Sequence, residues 1–188
     1  MAEKCYIYLF RHGQTYCNKN KIFTGRKDSK LTELGKMQAE NLRKLLKNKR
    51  IDVGIQTPLL RSKMTLKIVL KGHNECKKII TDKRMIERSY GELSGKKHDF
   101  IIKKYGIEQF EKWHRGYKNR PPKGESFYDV EKRVRNFIKF LKKMIKQEKV
   151  NVAISAHGNS IRLFRKIMEN AKISEMKSWV IPYDQYLE

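Results

Sequence analysis

The chain has 188 residues, enough for one ordinary domain with a real core, and no apolar stretch approaches the roughly 20 residues of a membrane span. Apolar residues make up 39% and aromatic residues 10%, which excludes a disordered chain. A formal charge of +24 leaves three readings: nucleic acid or membrane binding, a small polyanionic substrate, or a solvated basic surface.

From the N-terminus, CYIYLF over Cys5–Phe10 is a short apolar run rich in β-formers that stops at RHGQT, as a buried strand does. That run is too short for a secretory leader and no small-residue cleavage site follows, so a cytoplasmic protein is expected. Thr32–Asn48 spaces Leu34, Met37, Leu42, Leu45 and Leu46 as an amphipathic helix, with Thr32 as its N-cap. Val53–Thr57 predicts a second strand, and Pro58 opens a helix that continues through LLRSKMTLKIVLK. Lys78–Thr81 is a third strand. From Glu87 to Pro122 the chain is rich in glycine, aromatics and charge, with two short helical pieces at most. Phe127, Val130, Val134, Phe137, Ile138, Leu141 and Ile145 form the clearest helical stripe. Val150–Ser155 predicts a strand ending in Ala156-His157-Gly158. A helix follows from about Ser160, then a last strand near Ser178–Ile181 or just after.

Strands alternating with helices imply one α/β domain over residues 1–188, its sheet covered on both faces. The lysines are spread, as at 47 and 49, 77–78, 96–97 and 142–143, without a dense tract of interleaved aromatics. A solvated surface whose field draws in anions is the expected reading. Cys5, Cys17 and Cys76 have no metal-ligand spacing and read as free thiols, and His73 reads as a surface residue.

In such sheets the working residues lie just past the carboxyl ends of the strands. Arg11-His12 follows one strand, Thr57 to Arg61 another and His157 a third. Two histidines with two arginines suit a phosphoryl group. A guanidinium matches phosphate oxygens bidentately, a neutral imidazole can attack phosphorus, and a cationic one can stabilise the charge that develops. Asn18, Thr24 and the backbone around Gly13 and Gly25 offer further donors. Glu87 in ERSYGELSG is the candidate acid/base.

At these residues the chain resembles the histidine phosphatase superfamily, most of all its cofactor-dependent phosphoglycerate mutase branch. The resemblance rests on Arg11-His12-Gly13, on RHGQTYCNKNKIFTG and DSKLTELG, on TPLLRSKMT, ERSYGELSG and KYGIEQFEKWHRGYKNRPP, and on SAHGNSIR. It implies a three-layer αβα sandwich with a mostly parallel sheet. It further implies a phosphohistidine at His12, a phosphoryl group held by Arg11, Arg61 and His157, and Glu87 as acid/base. Asn18, Thr24, Gly25 and Asn159 would line the phosphate site, and Arg88, Tyr90 and Arg115 would face the rest of the substrate. The implied reaction interconverts 3- and 2-phosphoglycerate after priming by 2,3-bisphosphoglycerate, with no metal. The resemblance leaves a homodimer open.

Several positions depart from that branch. His98, beside Lys97, stands where the branch carries a substrate-binding lysine, and His114 replaces one of its paired arginines. PKGESF, residues 122–127, is much shorter than the branch's insertion, and IPYDQYLE ends without its covering tail. A more open site admits water to the phosphohistidine, so a metal-independent phosphatase acting on small phosphorylated metabolites is the alternative. A basic polyanion- or RNA-binding protein is the third reading, and no nucleic-acid module is visible for it.

Overall fold

In a computed structural model, which describes residues 4–188, five strands form one sheet. They are β1 (Ile7–Arg11), β2 (Val53–Gln56), β3 (Lys78–Thr81), β4 (Val152–Ala156) and β5 (Tyr186–Leu187), in the order β3-β2-β4-β1-β5. All neighbours are parallel except β5, which runs antiparallel to β1.

Alternation along the strands feeds two cores. Leu9, Val53, Ile55, Val152 and Ile154 point to one face, where α6 (Phe127–Glu148) and α7 (Gly158–Met168) cover them. Tyr8, Phe10 and Ala153 point to the other, against α2 (Glu33–Leu46) and α3 (Leu60–Val69). The result is the expected three-layer αβα sandwich. A third cluster of Phe23, Tyr90, Leu93, Ile101 and Phe110 lies under α4 (His98–Tyr105) and α5 (Ile107–Arg115), away from the sheet. The stripe read in α6 is the buried one, with Phe127, Val130, Val134 and Phe137 all fully enclosed.

Local signals set the ends of these elements. Thr32 caps α2 by accepting from Gly35 N at 3.0 Å, and Ser126 caps α6 in a reciprocal box with Asp129. The loop after β1 begins its turn with a short helix, α1 (Tyr16–Lys19), boxed by Thr15 and Asn18. Gly13 and Gly35 let that loop touch α2, since a Cβ on Gly13 would lie 2.1 Å from the Gly35 carbonyl oxygen.

Three expectations need correction. Of the residues expected in the last strand, Ser178 closes α8 (Ile173–Ser178) and residues 179–181 are irregular, the carbonyls of Trp179 and Ile181 being taken by arginine side chains. The strand forms only at Tyr186–Leu187. Secondly, α7 starts at Gly158, two positions before Ser160, so His157 itself is the cap. Thirdly, His73 is not a surface residue. Its ring is buried under the turn after α3, with Nδ1 2.9 Å from Glu75 Oε1. The three cysteines form no disulfide. No helix among the described residues is long and apolar enough to cross a membrane.

Candidate active site

Strand register assembles the centre of the site. Arg11 pairs with Ala156 across β1 and β4, so the residues that follow, His12 and His157, leave the sheet side by side. Their ring centroids are 5.0 Å apart. The first turn of α3 supplies Arg61 from above, and that helix's polar side stitches the strand ends together. Thr65 accepts from Gly13 N at 3.1 Å, and Ser62 donates to the Ser155 carbonyl at 2.7 Å.

The tautomer of His12 follows from its neighbours. Nδ1 lies 2.7 Å from the Gly13 carbonyl, which can only accept, so Nδ1 carries the proton. Nε2 then offers its lone pair, and Arg61 Nε donates to it at 3.2 Å. Burial, with Arg61 and Arg11 close by, pushes the His12 imidazolium well below the ordinary histidine range. His12 is therefore a neutral imidazole with its Nε2 lone pair turned toward a guanidinium. His157 is fully buried, hydrogen-bonds Thr57 Oγ1 at 2.8 Å, and is likewise held neutral by burial and the same cations.

A cavity of about 290 Å³ opens over His12. Its wall holds four arginines, Arg11, Arg61, Arg115 and Arg162, with Lys21, and a single carboxylate, Glu87. Among the described residues none of these arginines forms an ion pair. Arg61 is instead aimed by carbonyls, donating to Lys27 O at 2.8 Å and Gly25 O at 2.7 Å. Arg11 donates to Ile181 O at 3.1 Å and leaves Nε buried without a partner. Uncompensated buried donors of this kind fit an anion.

The remaining sequence-derived residues fall into two groups. Asn18, Thr24, Gly25, Tyr90, His98, His114, Arg115 and Asn159 all line the cavity. Asn18 Oδ1 is committed to Thr15, which leaves its NH₂ for a ligand. Asn159 donates to Tyr90 OH at 3.2 Å. His98 and His114 stand in an aromatic nest with Phe23 and Phe110, and burial takes the His114 imidazolium down to about 3. Arg88 and His157 do not reach the cavity wall. Arg88 is fully buried between the Tyr90 and Phe127 rings, 4.6 Å from each, and donates to the carbonyls of Trp113 and His114. It braces α5 from behind.

Sequence reasoning missed Lys21, Arg162 and Tyr183. Arg162 had a signal, because it lies one helical turn after Gly158 and so shares its face. Tyr183 had none, since it comes from an irregular segment.

The family model for the histidine phosphatase superfamily (branch 1) matches residues 7–186. The chain belongs to the histidine phosphatase superfamily. A superfamily relative from Chlamydia muridarum, a 2,3-bisphosphoglycerate-dependent phosphoglycerate mutase, is 33% identical over 202 residues, covering 94% of this chain and 89% of its own. Among solved structures, Bacillus stearothermophilus YhfR matches with a TM-score of 0.82 at 26% identity, over 94% of this chain and 86% of its own. The alpha-ribazole phosphatase from Shigella flexneri matches at 0.78 and 24% identity, over 90% and 82%. That last likeness speaks for the fold alone.

Proposed function

We propose that this enzyme is a phosphoglycerate mutase, interconverting 3- and 2-phosphoglycerate through a phosphohistidine at His12 primed by 2,3-bisphosphoglycerate. The observation that carries the reading is the four cavity arginines without an ion-pair partner: Arg61 and Arg11 beside His12, Arg162 sharing with Arg11 the space next to Gly158, and Arg115 also on the wall. A substrate that carries a phosphate together with a carboxylate or a second phosphate answers that many cations. The same charges repel a divalent cation.

In this reading His12 Nε2 attacks phosphorus, the P–O bond breaks, and Glu87 gives its proton to the leaving oxygen. In the return step Glu87 takes the proton of the acceptor hydroxyl as its oxygen attacks phosphorus, and the P–N electron pair goes back to Nε2. Arg11 and Arg61 hold the equatorial oxygens, with Asn18, Thr24 and Gly25 beside them. His157, behind His12, gains a proton when the phosphoryl charge arrives. Tyr90, Asn159, His98, His114, Arg115 and Arg162 meet the glycerate end.

A phosphatase of the same superfamily is the second reading, favoured by the connection ahead of α6. It is a tight turn, closed by Gly124 N donating to Pro121 O at 2.8 Å, and it leads directly into the Ser126 cap. No insertion there covers the cavity. One assay separates the readings: 3-phosphoglycerate supplied with and without 2,3-bisphosphoglycerate, in a metal chelator. Formation of 2-phosphoglycerate stimulated by the bisphosphate is expected, and release of inorganic phosphate alone overturns the mutase. His12→Ala should abolish acid-labile phosphorylation of the protein. Glu87→Gln should slow turnover by about 10²- to 10⁴-fold while some phosphohistidine still forms.

A further inference from the structure

The segment that follows α8 returns over the site and is anchored at three points. Arg162 donates from Nε and Nη2 to the Trp179 carbonyl at 3.1 and 3.0 Å. Arg11 donates to the Ile181 carbonyl, and Tyr186 pairs with Phe10 in the sheet. Between the last two anchors stands Tyr183. Its ring lies 4.0 Å from the Arg11 guanidinium carbon, and its centroid is 6.4 Å from that of His12. Two of the anchors are arginines of the cavity itself, so the same cations hold both the segment and the anion site.

This placement has two physical effects. The ring covers one face of Arg11, fixing the plane of its fork while removing water that would compete for its donors. It also occupies volume beside the phosphorus that His12 would carry. A phosphohistidine can be discharged by an acceptor hydroxyl or by water. In the second case a water oxygen attacks phosphorus, the P–N pair returns to His12 Nε2, and the water proton passes to Glu87, releasing inorganic phosphate. A bulky ring on the cavity wall beside Arg11 hinders freely diffusing water more than an acceptor held in place by the cavity's arginines.

We infer that Tyr183 is a positioning and specificity-determining residue, which sets how the phosphoryl group on His12 partitions between an acceptor and water. This rests on the phosphohistidine reading above but not on the mutase outcome. The test is the lifetime of the acid-labile phosphoprotein, formed with 2,3-bisphosphoglycerate and followed without acceptor, in wild type, Tyr183→Ala and Tyr183→Phe. Tyr183→Ala should shorten the lifetime by about tenfold, equivalent to about 1.4 kcal/mol of barrier, while Tyr183→Phe keeps that of wild type. With 3-phosphoglycerate added, the ratio of transfer to hydrolysis should fall by a similar factor in Tyr183→Ala only. An unchanged lifetime in Tyr183→Ala, or equal shortening in both variants, overturns the inference. A wild type that never acquires phosphate overturns the phosphohistidine reading with it. A wild type that acquires phosphate but makes no 2-phosphoglycerate overturns only the mutase.

Discussion

Burial decides the protonation of the histidines in and around the cavity. His12, His157, His98 and His114 all bind protons less readily than a free histidine, with loss of hydration as the first cause, and His114 falls to about 3. The unfolded chain, with its histidines near 6.5, therefore binds more protons than the folded one at mildly acidic pH. Stability from these groups is complete above about pH 6.5 and is lost as pH falls toward 3. The thermal midpoint should drop between pH 7 and pH 5. His114→Phe, which fits the Phe23–Phe110 nest, should make that drop shallower by up to about 1.4 kcal/mol per pH unit, measured by thermal denaturation. An equal slope in the variant would show that His114 titrates alike in both states. At this scale the sequence was readable where a side chain leaves a strand end: Arg11, His12 and His157 sit where the strand pattern put them. Arg88 was not readable. Whether a side chain beside Glu87 faces the cavity or the back of α5 depends on the course of the whole 87–122 segment.

Among the elements, long periodic ones were legible and short ones were not. The 22 residues of α6 repeat their apolar spacing through several turns, and Ser126 with Asp129 marks its start. The two residues of β5 carry no period at all, and α8 has six. The cap of α6 also does work for the site, because Glu125 just before it accepts from Ser89 N at 2.8 Å and so ties the turn to the segment that carries Glu87. Ser126→Ala removes an acceptor from Asp129 N and should cost about 1 kcal/mol, read as a lower denaturation midpoint in urea with an unchanged m-value. A change in m-value would mean instead that the turn, and not only the cap, had come apart.

For the molecule as a whole, the +24 charge acts on encounter more than on chemistry. Its lysines are scattered, so their field adds up at distances comparable to the Debye length, about 10 Å at 0.1 M salt. Raising salt should increase KM for an anionic substrate several-fold and leave kcat nearly constant, since Arg61 and Arg162 of the cavity wall are buried and poorly screened. A matching fall in kcat would place the salt effect at the chemical step.

The order of the sheet has one more consequence. β1 and β2 are not neighbours, because β4 lies between them, and β4 begins only at Val152. During synthesis the first strand waits for a partner until most of the chain has left the ribosome. The pairing that finally supplies it is also the one that sets His157 beside His12. With the proposed phosphohistidine chemistry, activity can begin only after this long-range pairing has closed, so its onset during refolding is a clock for that closure.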